Sequence, residues 1–310
     1  MSNYLLFFVM AASLGWSQNA SSNYIVYSQN EMDLYKKICI EKILDPGYQK
    51  TNDYPLSRAL KTISGTDCDY IPKVMGAGEI FTSHGVKYQL MHNGIKIIAN
   101  SYYNSQWLTD VIHGLRGHHE PQEEKCFFEV LKHIPENATM IELGSYWAYY
   151  SLWFAQEIKG AKNYLIEPDS IRLQVGIENF KLNNRDGVFL RAFAGDFVEI
   201  SDHASGAPHL SIDDFIESEK IDRVHILHSD IQGSEYSMLF TTTRHLDRID
   251  YFFISTHGNC HRPCMAFLQE HGFRILAEHD CEESCSGDGL IVAKRNDVIG
   301  PEYISIRKYK

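Results

Sequence analysis

An alternation of strand-like and helix-like segments from His118 onward is the feature that most constrains how this chain folds. A helix is predicted to begin at Pro121, which suits a first helical turn, and apolar residues at helical spacing follow it. Such alternation is typical of a mostly parallel sheet covered by helices on both faces. The predicted strands are 139–143, 163–167, 188–193, 225–230, 251–256, 274–278 and 290–294, and the predicted helices between them are 147–156, 170–182, 234–245 and 262–271.

The last two strands of this pattern predict how one edge of the sheet is formed. The last two strands are separated by a short loop, so they should form an antiparallel hairpin at one edge of the sheet. The expected architecture is a seven-stranded, mostly parallel α/β sheet, a pattern that several doubly wound folds share.

The first 117 residues have a mixed α+β pattern instead. Residues 32–43 have apolar side chains at helical spacing, and residues 86–98 form two strand-like runs around Asn93-Gly94, a type I′ turn signal. A short amphipathic helix is predicted around Trp107. We therefore divide the chain into an apolar segment at 1–20, an N-terminal cap at 21–117 and a core domain at 118–310.

Residues 5–14 form an apolar run with the length of a signal-peptide core, too short to span a membrane. No Lys or Arg precedes it, and the Ser-Gln-Asn-Ala stretch after it is a mediocre cleavage site. A cleaved signal, an interfacial helix and a buried helix are all compatible with this run. We expect no firm membrane association, since no later segment is suited to crossing a bilayer.

The charge balance bears on the class of partner. Hydrophobic residues make up 44% of the chain and charged residues 22%, as in ordinary globular proteins, while the formal net charge is −11. An acidic chain repels phosphate backbones, so the sequence argues against a nucleic acid as partner. The acidic surface otherwise serves solubility.

In an open α/β sheet the ligand binds beyond the carboxyl ends of the strands, so the residues that follow each strand are the candidate site. After the first strand come Glu142, Gly144 and Ser145, a tight turn into a helix N-terminus that favours an anionic ligand group. Glu167 follows the second strand, where a carboxylate can accept both hydroxyl hydrogens of a ribose. Asp196 follows the third and could receive the amine of an adenine. The alternative for each carboxylate is a helix N-cap.

The first turn argues against a dinucleotide. A pyrophosphate needs the three glycines of the G-x-G-x-x-G pattern, whereas this turn has one glycine followed by Ser145, Tyr146 and Trp147. NAD is therefore disfavoured as a ligand.

Two further strand ends present candidate catalytic groups. Asp230 follows the fourth strand at the centre of the sheet, and His257 follows the fifth. A histidine in such a place is as often a surface or core residue. Before the core, Glu120 and Gln122 lie at a helix start, where they could reach the ligand or simply suit the helix dipole.

At this point the sequence resembles a known family. The stretch from Met140 to Ala155 (MIELGSYWAYYSLWFA), then LIEPD at 165–169 and IENFKLN at 177–183, is similar to the FkbM-type methyltransferases. So is SIDDFIE at 211–217 followed by HSDIQGSE at 228–235, an acidic-glycine-acidic signature. The resemblance covers roughly residues 118–295.

The resemblance implies a Rossmann-like class I methyltransferase fold, S-adenosylmethionine as donor, and O-methylation of a sugar, a polysaccharide or a hydroxylated natural product. By position, Glu142, Gly144, Ser145, Glu167, Asp196 and Glu120 would bind the donor. Asp230 or His257 would help to remove the hydroxyl proton, and Glu235 would be the second signature acid. No metal ligands are assigned to the site. Methylation of nitrogen or of a carboxylate, and a binding module without catalysis, are the alternatives.

Three features depart from the family pattern. Ala148 replaces a second glycine and would add a methyl group near the donor. His228-Ser229 replaces a lysine and an aliphatic residue before Asp230. The segment before residue 118 has no clear counterpart, so acceptor choice depends on a region where Tyr102, Tyr103 and Trp107 could cover a sugar ring or pack in the core.

The four late cysteines, Cys260, Cys264, Cys281 and Cys285, form two CxxxC pairs near the expected rim of the site. They could bind zinc, form disulfides or remain free thiols. Because S-adenosylmethionine is made in the cytosol, we expect a cytoplasmic protein that acts on a small molecule or a glycan. The sequence leaves the oligomeric state open.

Overall fold

The computed structural model describes residues 24–49, 55–83, 85–102, 106–195, 204 and 206–309. The apolar run at 5–14, Tyr103 and Asp196 lie outside these residues. Within the described part of the chain, no helix is long and apolar enough to cross a membrane.

The described residues of the N-terminal region form two small sheets and four helices. Strands β1 and β2 pair antiparallel, and β3, β4 and β5 form a three-stranded antiparallel meander. The elements are β1 Tyr24–Ile25, α1 Gln29–Leu44, α2 Pro46–Gln49, α3 Leu56–Ile63, β2 Lys73–Val74, β3 Ile80–Ser83, β4 Val86–Leu90, β5 Lys96–Ile98 and α4 Gln106–Gly114.

The remainder of the described chain forms the α/β core. Its elements are α5 Pro121–Leu131, β6 Thr139–Leu143, α6 Tyr149–Glu157, β7 Lys162–Ile166, α7 Ser170–Leu182, β8 Val188–Leu190, β9 Phe193–Ala194, β10 His209–Leu210, α8 Ile212–Ser218, β11 Val224–Ser229, α9 Glu235–Phe240, β12 Ile249–Thr256, α10 His261–Glu270, β13 Phe273–His279 and β14 Gly289–Arg295.

Seven of these strands form one sheet in the order β13-β14-β12-β11-β6-β7-β8. Strand β14 is antiparallel to both of its neighbours, and the remaining neighbouring pairs are parallel. The predicted seven-stranded, mostly parallel sheet with a C-terminal hairpin is therefore confirmed. This strand order is the Rossmann-like architecture that the family resemblance implied.

Both faces of the sheet are covered. Every residue of β6 and of β12 is buried, as expected for central strands between two helical layers. One face packs against α5, α6 and the N-terminal helices in a single apolar cluster. The other face packs against α8, α9 and α10.

The structure corrects the predicted turn between β4 and β5. The hairpin is present, but a type I′ turn needs positive φ at both central residues, and of Asn93 and Gly94 only the glycine has it. The loop is longer than two residues: Met91 N–H donates to Ile95 O at 2.8 Å, and the Asn93 side chain accepts from Ile95 N–H at 3.2 Å.

Several core boundaries also differ from prediction. Helix α9 ends at Phe240 rather than at residue 245, because the Asp213 carboxylate accepts the backbone N–H groups of Thr243 and Arg244 at 3.0 and 2.9 Å. Helix α6 begins two residues late, after left-handed Ala148. The short strands β9 and β10 and the helix α8 were not predicted.

Gly144 ends the central strand β6 at a point where no other residue fits. Its φ is +71°, and a Cβ atom there would lie 1.9 Å from the carbonyl oxygen of Asp230. The Asp230 N–H, which follows β11, donates to the carbonyl oxygen of Leu143 at the end of β6, at 3.0 Å. The backbone after β6 and the backbone after β11 are thus held in direct contact.

We predict that Gly144→Ala lowers the free energy of unfolding by more than ~3 kcal/mol, because the clash is with backbone and adds to the left-handed strain. Gly272→Ala is the matched control: φ is +83°, but its Cβ would meet nothing within 4 Å, so it should cost only about 1–2 kcal/mol. Urea unfolding of both variants measures the difference. Equal losses would contradict the proposed contact.

Candidate functional site

A cleft of about 530 Å³, its open mouth included, lies at the carboxyl ends of β6, β7 and β11. The predicted residues Glu120, Glu142, Gly144, Ser145, Glu167 and Asp230 all line this cleft, together with Tyr102, His119, Tyr146, Trp147, Tyr150, Arg172, His228 and Gln232.

Glu167 ends β7 at one side of the cleft. Its carboxylate accepts backbone N–H bonds from Asp169 at 2.9 Å and from Tyr146 at 3.3 Å. Burial raises the pKa of Glu167 to about 7. The N-cap of α7 is Asp169, which accepts from Ile171 N–H at 2.8 Å. Glu167 is therefore not a capping residue.

Glu142 has a structural partner as well as a place in the cleft wall. Its carboxylate accepts the backbone N–H of Ser151 in the first turn of α6 at 3.1 Å, and burial raises its pKa. Because the N-cap of that helix, Ala148, has no polar side chain, Glu142 supplies the bond that a capping side chain would make.

The turn from β6 into α6 leaves one polar group without a partner. Ser145 is buried, and its Oγ makes no hydrogen bond within the described residues. Tyr146 has a φ of +38° and Ala148 a φ of +62°. Ala148 does not line the cleft: its methyl group lies 3.3 Å from where a Cβ on Gly176 of α7 would be, so the expectation that it approaches the donor is wrong.

The segment before α5 positions Glu120. The Glu124 carboxylate accepts the backbone N–H groups of His119 at 2.7 Å and of Glu120 at 3.1 Å, which fixes this turn. Glu120 then contacts His119 Nε2 and Tyr150 Oη, each at 3.2 Å. Burial opposes its ionisation, but the charge of His119 and the bond to it lower the pKa of Glu120.

Gln122 does not reach the cleft. Its Nε2 donates to Arg307 O at 2.6 Å and its Oε1 accepts from Cys285 N–H at 2.8 Å, so it fastens the C-terminal segment to α5. The interpretation of Gln122 as a ligand contact is wrong.

Asp230 lies on the opposite side of the cleft from Glu167. Gln232 donates to its Oδ1 at 2.8 Å, and His257 Nε2 lies 3.6 Å from the same oxygen. Burial raises the pKa of Asp230 to about 7, although the charge of His257 opposes the rise. The carboxyl group therefore changes charge close to neutral pH.

His257 is enclosed by carboxylates and does not line the cleft. Its Nδ1 is 2.8 Å from Glu235 Oε1, and its Nε2 is 3.4 Å from Asp288 Oδ1. Burial opposes the charged form, but the bonds to Asp288 and Glu235 and the charge of Asp230 raise the pKa of His257 to about 11. The imidazole is positively charged at neutral pH.

The structure adds two contacts that the sequence did not suggest. Arg58 of α3 pairs with Asp288 at 2.9 Å. Because Asp288 also contacts His257, this pair joins the N-terminal region to the surroundings of His257. His228 in the cleft wall contacts Glu123 at 2.7 Å. In the sequence, the one signal for the contact between His228 and Glu123 was that His228 stands where the family pattern has a lysine.

All seven cysteines are described, and all are free thiols, so the disulfide interpretation is wrong. Cys260 Sγ donates to Glu235 at 3.2 Å, whereas Cys281 Sγ lies 3.5 Å from Thr256 O. Among the described residues, the one cluster of potential metal ligands is Cys68, His118 and Glu124. The four late cysteines do not form a zinc-like group.

Comparison with known proteins identifies the core. Residues 129–275 match the model of the methyltransferase FkbM domain. This part of the chain is an FkbM methyltransferase domain. The resemblance found in the sequence motifs is thus confirmed, and the protein is an S-adenosylmethionine-dependent methyltransferase. No curated protein has a significant match to the chain.

Several solved structures have a similar chain path. TrmK of M. capricolum, in complex with S-adenosylhomocysteine, is 11% identical, with 58% of this chain and 71% of that chain covered and a TM-score of 0.39. Precorrin-6y C5,15-methyltransferase from Geobacter metallireducens GS-15 is 14% identical, with 56% and 88% covered and a TM-score of 0.38. The hMettl16 catalytic domain, in complex with MAT2A 3′UTR hairpin 1, is 11% identical, with 60% and 74% covered and a TM-score of 0.40. The identification of the FkbM domain rests on the family match.

We predict that Glu235→Gln lowers the pKa of His257, because it removes one of the carboxylates that hold the imidazolium. The measurement is the pH titration of the His257 ring protons by NMR in the two proteins. Glu217→Gln, which alters a distant surface carboxylate beside His245, is the control and should leave the titration of His257 unchanged. An unshifted His257 in Glu235→Gln would refute the ion pair.

Proposed function

We propose that this methyltransferase transfers a methyl group to a hydroxyl of a sugar, a polysaccharide or a hydroxylated natural product. The observation that carries the proposal is the position of Asp230, whose carboxyl group lines the cleft, accepts a bond from Gln232 at 2.8 Å and has its pKa raised by burial to about 7. A hydroxyl must lose its proton as it attacks, and a base with a pKa near the working pH does this best.

Several features of the cleft support the proposal that the donor binds there. Glu167 would accept the ribose hydroxyls, Ser145 would use its unpartnered Oγ, and Glu120 would face the amino group of the methionyl part. Asp196, outside the described residues, is proposed to meet the adenine amine. When bound, S-adenosylmethionine supplies a methyl group on a sulfonium, whose sulfur is a good leaving group.

Asp230, rather than His257, is proposed to take the hydroxyl proton. His257 already holds its proton at neutral pH and lies behind Asp230. Its charge lowers the pKa of Asp230 and so favours the carboxylate. We assign His257, with Glu235 and Asp288 behind it, the role of a positioning residue.

The charge beside the proposed base favours a neutral acceptor over a carboxylate. The acceptor must approach Asp230, and once ionised Asp230 would repel a carboxylate placed against it. A carboxylate would also need no base. An amine is the rival acceptor, since an acidic wall attracts it. The same acidic character, with the net charge of −11, disfavours a nucleic acid.

The protein is proposed to act in the cytoplasm, where the donor is made. Its N-terminal cap is proposed to determine which acceptor is bound. Tyr102 lines the cleft and stacks on Tyr146, with ring centroids 5.0 Å apart, and its ring is 5.3 Å from that of Trp147. These rings offer a sugar an apolar face. Trp107 is buried and packs in the core instead.

We predict that Glu167→Gln weakens binding of S-adenosylhomocysteine by about 1–3 kcal/mol, the value of hydrogen bonds to a charged group. Isothermal titration calorimetry measures the change. Glu178→Gln, an exposed position on the neighbouring helix α7, is the control and should bind as the unaltered protein does. Unchanged affinity in Glu167→Gln would place the ribose elsewhere.

We predict that kcat/KM rises as the pH increases through about 7 and then levels off, because only the ionised Asp230 accepts a proton. Asp230→Asn should remove this rise and lower the rate by about 10²-fold or more. Asp186→Asn, an exposed aspartate, is the control and should keep the profile. A profile that persists in Asp230→Asn would assign the proton to another group.

A further inference from the structure

His228 lies on β11, two residues before Asp230, and both residues line the cleft. Its partner in register on β6 is Glu142. The ring of Tyr150 covers it, with centroids 4.5 Å apart. His228 thus lies where three elements of the cleft meet.

One nitrogen of His228 is firmly held. Nε2 is 2.7 Å from Glu123 Oε1, and Glu123 Oε2 accepts from Ser255 Oγ at 3.0 Å. Burial opposes a charge on the ring, but Glu123, and after it Glu142 and Asp230, raise the pKa of His228. With Nε2–H donated to a carboxylate, the ring orientation is fixed.

The other nitrogen has no such partner. Nδ1 is buried and makes no hydrogen bond within the described residues. A buried N–H without a partner costs free energy, and a charged one costs more. A ligand that brings an oxygen, above all an anionic one, to this nitrogen would remove that cost.

The surroundings of His228 match one end of the donor. Tyr150, whose ring lies over His228 at an interplanar angle of 32°, bonds through its hydroxyl to Glu120 at 3.2 Å, and both His228 and Glu120 line the cleft. Ser145, which also lines the cleft, adds a second unpartnered donor. The cleft therefore offers an acceptor for an ammonium group and two donors for a carboxylate, the complement of an amino-acid zwitterion.

We propose that His228, held by Glu123, donates through Nδ1 to the α-carboxylate of the methionyl end of the donor and so selects cofactors that carry this carboxylate. The assignment rests on the donor site proposed above and deepens it. In this role His228 acts in binding, while Asp230 acts on the acceptor. Glu123 is a positioning residue that orients the ring and maintains its charge.

The test compares two ligands that differ only in this group: S-adenosylhomocysteine and its decarboxylated analogue, which retains the amine. Each is titrated calorimetrically into the unaltered protein, His228→Gln and Ser145→Ala. We expect the unaltered protein to prefer S-adenosylhomocysteine by about tenfold to hundredfold, as a charge-assisted bond implies. In His228→Gln this preference should fall several-fold or more, with the affinity for the analogue unchanged. In Ser145→Ala it should fall less.

Binding of the analogue also reports whether the variant folds, so that a collapsed cleft is not mistaken for a lost contact. If His228→Gln weakens both ligands equally, or weakens neither, the proposed contact is wrong. If the folded, unaltered protein binds neither ligand, the donor site itself is wrong, which is a separate result. Glu123→Gln provides a second variant and should reduce the preference in the same direction as His228→Gln.

Discussion

The contact between the backbone after β6 and the backbone after β11 is the constraint on which the site depends. Gly144 approaches the Asp230 carbonyl too closely for any side chain, and Asp230 N–H bonds to Leu143 O. Because these two strands are central and parallel, their carboxyl ends open on the same edge of the sheet. The donor turn after β6 and the proposed base after β11 are consequently neighbours in one cleft.

Around this contact, chemically similar carboxyl groups have different pKa values because their surroundings differ. Glu167 accepts backbone N–H bonds in a buried place, and burial raises its pKa. Glu120 is less buried than Glu167, and His119 lowers its pKa. Asp230 has a raised pKa, whereas His257 lowers that of Glu235. By giving similar side chains different pKa values, a protein can use one for binding and another for proton transfer.

Local sequence patterns predict much of the core and part of the site. Apolar runs of strand length located β6 and β11, and position at a strand end identified Glu142, Glu167 and Asp230 as cleft residues, since that placement follows from the fold alone. The predicted boundaries differed from the observed ones where side chains accept hydrogen bonds from backbone N–H groups, as Asp213 does after α9. The short pair β9 and β10 has too few residues to show a period.

Contacts between distant parts of the chain could not be predicted in this way. Arg58 meets Asp288 across 230 positions, and His228 meets Glu123 across 105. The state of His257 depends on Asp230 and Glu235 of the signature at 228–235 and on Asp288, which lies outside that motif. The sequence therefore left Asp230 or His257 as the candidate base, and the structure places His257 among these carboxylates, behind Asp230.

The most direct test of the account is to identify the atom that receives the methyl group. The protein is incubated with S-adenosylmethionine carrying a carbon-13 methyl label and a panel of neutral glycans, hydroxylated small molecules, amines and carboxylic acids, and the products are examined by NMR. We expect the label in a methyl ether, formed from a hydroxylated acceptor. Label found on nitrogen or in a carboxylate ester, with the hydroxylated compounds unaltered, would contradict it.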